Sequence, residues 1–150
     1  MEPEQVPFNI LLADDDVDDC IFFKGALEKF SLPTHLTAVH DGEHLMQLLT
    51  KETYQVPDVL FLDLNMPRKN GFECLSEIKL SQKLKKLPVI MFSTSNDSAV
   101  VNLLYKNGAH YFIRKPSGIS QFEQIIQQTL TLIARENTAQ PVRENFVLMV

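Results

Sequence analysis

The stretch VLFLDLNMP at residues 59–67 decides the fold of this chain. Its first four residues are all apolar, which indicates a strand buried on both faces, as in the middle of a parallel sheet. Pro67 prevents the strand from continuing much further. Asp63 is therefore predicted to lie at the carboxyl end of a central strand, at the edge of an open α/β sheet where ligands bind. The alternative is that Asp63 only caps a turn or a helix.

Further apolar runs have the length of strands, and apolar residues at helical spacing follow each of them. The strand-like runs are residues 8–13, 35–39, 89–92 and 111–113. The helical patterns cover residues 17–30, 45–49, 72–79, 100–105 and 119–135. Five strands that alternate with five helices predict an α/β protein with a five-stranded parallel sheet. Right-handed crossovers then place helices on both faces, giving a three-layer doubly wound (βα)5 fold.

The size and charge of the chain limit its organisation and its partners. Its 150 residues suit one hydrophobic core, and we expect an extension at residues 1–7, one domain at 8–136 and a tail at 137–150. The net charge of −5 argues against nucleic acid or an anionic membrane as a partner, since both require a basic surface. No signal-peptide or membrane-spanning pattern is visible, and Cys20 and Cys74 lack metal-ligand spacing, so we expect a cytoplasmic protein.

Polar side chains follow or end the predicted strands. Asp14 and Asp15 follow the first strand, Asp63 ends the third, Ser93 follows the fourth and Lys115 follows the fifth. These residues should meet, because parallel strands bring their carboxyl ends to one edge at a spacing of about 4.8 Å per strand. Three carboxylates so close together call for a cation, and oxygen ligands favour Mg²⁺. Ser93 and Lys115 would hold a phosphoryl group while the ionised Asp63 attacks it.

With these residues in place, the chain resembles the receiver domain of two-component response regulators, which has the flavodoxin-like, CheY-like fold. The resemblance covers residues 8–135 and rests on the motifs LADDD at 12–16, DG at 41–42, LDLNMP at 62–67, Gly71, FST at 92–94, GA at 108–109 and KP at 115–116. Since no output domain is recognised after residue 135, the chain is similar to the stand-alone, single-domain regulators of bacterial two-component systems. Such a protein is a phosphoacceptor in signalling and catalyses only its own phosphorylation and dephosphorylation, so it is not an enzyme in the usual sense.

The resemblance implies a phosphoacceptor and a metal site. Asp63 would accept a phosphoryl group from a sensor histidine kinase or a phosphotransfer protein. Mg²⁺ would be the cofactor, held by Asp15, Asp63 and the backbone carbonyl of Asn65, with Asp14 acting largely through water.

The resemblance also implies a switch. Ser93 would turn its hydroxyl toward the phosphoryl group, Lys115 would clamp the phosphate, and the ring of Phe112 would move inward from an exposed, inactive position. The signal would appear on the face of the fourth helix, fifth strand and fifth helix. The Lys115–Pro116 bond is expected to be cis, which only an X–Pro bond reaches at low cost.

The apolar residues 146–150 are predicted to pack rather than to stay in water. The nearest surface is the face of the fourth helix, fifth strand and fifth helix, either in the same chain or in a homodimer with crossing tails.

Other classes of protein fit less well or differ in mechanism. An EF-hand starting at Asp14 is rejected because its sixth and twelfth positions are Asp19 and Gly25 instead of Gly and Glu. A flavin binder would need a Ser/Thr/Gly-rich loop where this chain has three aspartates, and a dehalogenase-type phosphatase would need a different second motif. The alternative that stays open is a pseudo-receiver, an interaction module that works without phosphorylation.

Overall fold

A computed structural model describes residues 6–95, 97–135 and 139–149 of the chain. The strands are β1 Phe8–Ala13, β2 Thr34–Val39, β3 Val59–Asp63, β4 Val89–Ser93, β5 Tyr111–Arg114 and β6 Val147–Leu148. The helices are α1 Val17–Glu28, α2 Gly42–Leu49, α3 Gly71–Leu80, α4 Ser98–Lys106 and α5 Ile119–Arg135. The sheet has the order β2-β1-β3-β4-β5-β6, and every neighbouring pair is parallel. The predicted fold class is confirmed, and a sixth strand is added to the five that the sequence indicated.

Two apolar layers enclose the sheet. One layer packs α1 and α5 against alternate strand residues, among them Phe61 and Phe92. The other packs α2, α3 and α4 against the opposite face, which includes Leu62 and Phe112. This gives the predicted three-layer arrangement, with β3 wholly buried in the middle. Within the described residues, no helix is both long and apolar enough to cross a membrane.

Side-chain caps fix the start of the helices that surround the edge of the sheet where the strands end. Asp16 caps α1 by accepting hydrogen bonds from the N–H groups of Asp18 and Asp19. Asn70 and Glu73 form a reciprocal capping box at the start of α3. Asp97 caps α4, whereas Asn96, the other residue that the sequence offers as its cap, lies outside the described residues. Such caps stabilise a helix by about 1 kcal/mol each, and here they also fix where each loop leaves the sheet.

Residues 139–149 form a C-terminal strap across α4 and the edge of the sheet. The strap contains β6, which pairs with β5 so that Val147 lies opposite Phe112. The side chain of Phe146 is fully buried and stacks edge-on against Tyr105 of α4, with 5.0 Å between ring centroids. The phenol of Tyr105 donates to the carbonyl of Pro141 at 2.8 Å. The expected packing of the apolar tail is therefore confirmed for residues 146–148, and it occurs within the same chain. It is wrong for Met149, which is exposed, and Val150 lies outside the described residues.

Candidate functional site

Three carboxylates meet where β1 and β3 end side by side in the sheet. Asp14 and Asp15 follow β1, Asp63 ends β3, and one oxygen from each lies within 4.8 Å of the others. Asp14 is fully buried and Asp63 is 5% exposed, whereas Asp15 is exposed to solvent. A group of hard oxygen donors, open on one side, suits Mg²⁺, which binds through one or two carboxylates and keeps several waters. The donors present therefore fit the metal that the sequence predicts.

The loop after β3 is shaped to hold Asp63 in place. The N–H of Asn65 donates to Oδ1 of Asp63 at 3.3 Å, and the N–H of Gly71 donates to the carbonyl of Leu64 at 2.9 Å. A Cβ atom at Gly71 would collide with the carbonyl oxygen of Asp63, so only glycine allows α3 to start this close to the strand. The backbone thus holds one oxygen of the Asp63 carboxylate and the start of α3 packs closely against the Asp63 carbonyl.

Lys115 reaches the same carboxylates from the end of β5. Its Nζ lies 2.7 Å from Oδ2 of Asp19, 3.1 Å from Oδ2 of Asp14 and 3.6 Å from Oδ1 of Asp63. The ammonium also lies 5.1 Å from the centre of the Phe92 ring. Asp19 did not stand out in the sequence as a site residue, because an acid in the first turn of a helix has an ordinary role there. Only the contact with Lys115 distinguishes it from its neighbours.

Burial and charge shift the pKa values of these groups. Burial raises the pKa of Asp63, and the nearby Lys115 offsets part of that rise. Burial also raises the pKa of Asp14, to about 7. For Lys115, burial alone would lower the pKa, but the hydrogen bond to Asp19 and the charges of Asp14 and Asp63 raise it above its usual value. In the absence of a metal ion, the site therefore holds a cationic ammonium beside two carboxyl groups whose pKa values are raised by burial.

The pKa of Asp14 predicts how stability depends on pH in the presence of EDTA. An unfolded Asp loses its proton near pH 4, whereas the folded Asp14 loses it near pH 7. The folded state binds more protons between these values, so the free energy of unfolding falls as pH rises through this window. Asp14→Asn removes this contribution. As the pH rises from 4 to 8, the free energy of unfolding of the variant should increase by about 2 to 4 kcal/mol relative to that of the unsubstituted protein. Urea unfolding at each pH measures this difference.

The contrary result would be an equal pH dependence in both proteins, which would show that the pKa of Asp14 is the same in the folded and unfolded states. Asp18→Asn is the control for the loss of one negative charge, since Asp18 is exposed and lies outside the group of three carboxylates.

Ser93 lies at the end of β4, beside the site. Its hydroxyl accepts a hydrogen bond from the N–H of Ser95 at 3.1 Å, and its carbonyl accepts one from the N–H of Lys115 at 2.8 Å. The second bond ties the end of β4 to the residue that carries the ammonium. The structure thus brings Ser93, Lys115 and the carboxylates to one edge of the sheet.

Two expectations about β5 and its end are wrong for this structure. The Phe112 ring does not point outward, since the residue is only 1% exposed. The C-terminal strap lies over the ring, and Phe146 belongs to the same apolar layer. The Lys115–Pro116 bond is not cis, as every peptide bond in the described ranges is trans. Trans is the favoured state even before proline, and Lys115 contacts the carboxylates from it.

Known proteins share this sequence pattern. Residues 10–127, which contain every site residue described above, match the family model of the response regulator receiver domain. The response regulator Rcp1 of Synechocystis sp. is 29% identical over 125 residues, covering 81% of this chain and 85% of Rcp1. The two-component response regulator ORR5 of Oryza sativa subsp. japonica is 32% identical over 124 residues, covering 81% of this chain and 88% of ORR5.

Solved structures share the fold. The crystal structure of the phosphorylated cyanobacterial phytochrome response regulator RcpA superposes with a TM-score of 0.81 at 30% identity, covering 87% of this chain and 96% of RcpA. The Mn(2+)-bound form of Rcp1 superposes with a TM-score of 0.80 at 26% identity, covering 91% of this chain and all of that chain.

Proposed function

Because the chain belongs to the response regulator receiver family, we propose that it accepts a phosphoryl group on Asp63 in a Mg²⁺-dependent phosphorelay. The observation that carries this proposal is the meeting of three carboxylates with one ammonium at the carboxyl edge of the sheet. A phosphoryl group bound to Asp63 would lie between the cation site and Lys115, where both positive charges act on its oxygens.

Phosphoryl transfer to Asp63 requires mainly that the reacting groups are held in the correct positions. An Oδ atom of Asp63 attacks the phosphorus, the bond from phosphorus to the donor nitrogen or oxygen breaks, and the product is an aspartyl phosphate. Lys115 donates hydrogen bonds to the phosphoryl oxygens as they gain charge. Asp14, Asp15, Asp63 and the carbonyl of Asn65 are the groups that would hold Mg²⁺. When bound, the ion neutralises charge on the transferring group.

The proposed donor is a phosphohistidine on a sensor histidine kinase or a phosphotransfer protein. Exposed apolar side chains near the site support docking of a protein. Val17 and Ile21 lie one turn apart on α1, directly after the acidic loop, and Ile119 starts α5 just after Lys115; each is more than half exposed. Apolar residues next to a charged site are typical of a surface that receives a protein partner.

The proposed output is a population shift at Ser93 and Phe112. Phosphorylation would draw the Ser93 hydroxyl toward the phosphoryl group and favour the inward Phe112 ring, and the signal would pass to the α4–β5–α5 face. The position of the ring under the strap supports a role for the strap in stabilising this inward state. A homodimer through this face is part of the proposal, supported by exposed apolar residues on α4 and the strap, namely Leu103, Val142 and Met149.

Acetyl phosphate tests this function without a known kinase. The protein is incubated with acetyl phosphate and Mg²⁺, or with acetyl phosphate and EDTA, and intact mass is measured. We expect an adduct of one phosphoryl group with Mg²⁺ only, lost on treatment with hydroxylamine as an acyl phosphate should be. Absence of the adduct under all conditions would favour the pseudo-receiver alternative. Sedimentation of the same samples tests the dimer, which is contradicted if the protein stays monomeric at every concentration.

A further inference from the structure

Asp19 makes the shortest contact of the Lys115 ammonium, although Asp19 is not one of the three acids that could share a metal ion. The distance from Nζ to Oδ2 of Asp19 is 2.7 Å, compared with 3.1 Å to Asp14 and 3.6 Å to Asp63. The side chain of Asp19 is 16% accessible and that of Lys115 is 11% accessible. This is a largely buried ion pair between the first turn of α1 and the end of β5.

We propose that Asp19 is a positioning residue that holds Lys115 toward the phosphoryl site throughout the phosphorylation cycle. The inference rests on the proposed function, since it assigns Asp19 a role in that same reaction. Asp19 acts through Lys115 and does not touch the reacting atoms.

The other two partners of Lys115 change their bonding during the reaction, whereas Asp19 does not. An oxygen of Asp63 becomes esterified to phosphorus, and Asp14 belongs to the group that would hold the metal ion. Within the described ranges, Asp19 is the one carboxylate in contact with Lys115 that takes part in neither event. An ammonium has three N–H groups, so a bond to Asp19 leaves two for the phosphoryl oxygens.

The pair also limits competition between Lys115 and the metal ion. Without Asp19, the ammonium would direct all its donors toward Asp14 and Asp63, which are the carboxylates that Mg²⁺ requires. The cation would then have to displace a fully engaged ammonium. By accepting the shortest hydrogen bond of the ammonium, Asp19 takes up one of its three donors and so weakens the competition of Lys115 with the ion for Asp14 and Asp63.

The simpler alternative is that Asp19 only stabilises the start of α1. Asp18 provides a matched comparison, because it is the adjacent acid of the same first turn, its N–H also donates to Asp16, and it is exposed. A helix-terminal effect or a general loss of negative charge should be similar for both residues. An effect through Lys115 should be confined to Asp19.

A double-mutant cycle separates these possibilities. The variants are Asp19→Asn, Asp18→Asn, Lys115→Gln and the two double variants that combine Lys115→Gln with each Asp→Asn change. Two quantities are measured for each: the rate of phosphorylation by acetyl phosphate at saturating Mg²⁺, and the affinity for Mg²⁺ alone from its effect on thermal unfolding.

We expect Asp19→Asn to slow phosphorylation about tenfold, since small misplacements of a clamping group have effects of this order or larger, and to weaken Mg²⁺ binding several-fold. Asp18→Asn should change both by less than about twofold, as a solvated charge is worth little. In the Lys115→Gln background, Asp19→Asn should change the phosphorylation rate and the affinity for Mg²⁺ no more than Asp18→Asn does, because the ammonium that Asp19 positions is absent. Asp19→Glu, which keeps a carboxylate, should recover part of the rate.

Equal effects of Asp19→Asn and Asp18→Asn would overturn the proposal, as would an effect of Asp19→Asn that persists unchanged in the Lys115→Gln background. Failure of the proposed function gives a different result. In that case no variant, nor the unsubstituted protein, takes up phosphate, while the Mg²⁺ affinities still show whether Asp19 acts through Lys115.

Discussion

Asp63→Asn is expected to abolish the uptake of phosphate from acetyl phosphate and to stabilise the fold. The amide has nearly the same shape and its oxygen can still accept the N–H of Asn65, but it is not a nucleophile at phosphorus. Loss of the attacking group lowers the rate by at least about a thousandfold, by comparison with nucleophile substitutions in enzymes. The free energy of unfolding should rise at neutral pH in EDTA, because burial disfavours the charged form of Asp63. Intact mass and urea unfolding measure the two effects.

Asp58→Asn is the matched control. Asp58 precedes the other end of β3, is exposed, and accepts a hydrogen bond from the N–H of Asn9 at 2.8 Å. Its substitution makes the same chemical change next to the opposite end of β3 and should leave phosphorylation intact. An Asp63→Asn protein that is labelled at the rate of the unsubstituted protein would place the acceptor elsewhere.

Phe146→Ala is expected to open the C-terminal strap. Phe146 is fully buried, and removing a buried Phe side chain typically costs 3 to 5 kcal/mol. Because the strap joins the sheet through only two residues of β6, we expect this loss to appear as local opening and not as global unfolding. A loss of about 3 kcal/mol corresponds to roughly a hundredfold larger open population. Trypsin cleavage after Arg143, followed by mass spectrometry, measures it.

Val142→Ala serves as the control, since Val142 lies in the same strap but is exposed. It should leave cleavage after Arg143 nearly unchanged. If Phe146→Ala were cleaved no faster than the Val142 variant, the strap would not depend on its buried ring.

Most of the fold could be predicted from the sequence because the apolar runs before Asp63 and Ser93 can each be identified as strands from their local sequence. Four consecutive apolar residues between turns are too few for a helix and indicate a strand covered on both faces, and the helices between such strands fix the layers. β6 could not be predicted in this way. A strand of two residues has no periodicity, and its parallel pairing depends on the side chain of Phe146 being buried against α4.

The convergence of Asp14, Asp63 and Lys115 could be predicted because strand ends share an edge whatever the order of the strands. The contact between Asp19 and Lys115 could not, since it depends on how α1 leaves β1 and on the direction of the long Lys115 side chain. The inward Phe112 ring was missed for a related reason. Its position depends on the strap, which is distant in the sequence and follows residues 136–138, outside the described part of the chain.

One backbone contact of the strap makes its docking measurable. The N–H of Phe112 donates to the carbonyl of Phe146 at 3.0 Å, so this amide is shielded only while the strap is in place. Its hydrogen–deuterium exchange rate, compared with that of a free amide, gives the free energy of strap opening directly. We expect the amides of the buried strand β3 to exchange only when the domain unfolds, so that they give the global stability in the same spectrum. Hydrogen–deuterium exchange can therefore be measured before and after phosphorylation. The change in the free energy of strap opening is the coupling between Asp63 and the strap, and it can be measured even if the average structure does not change.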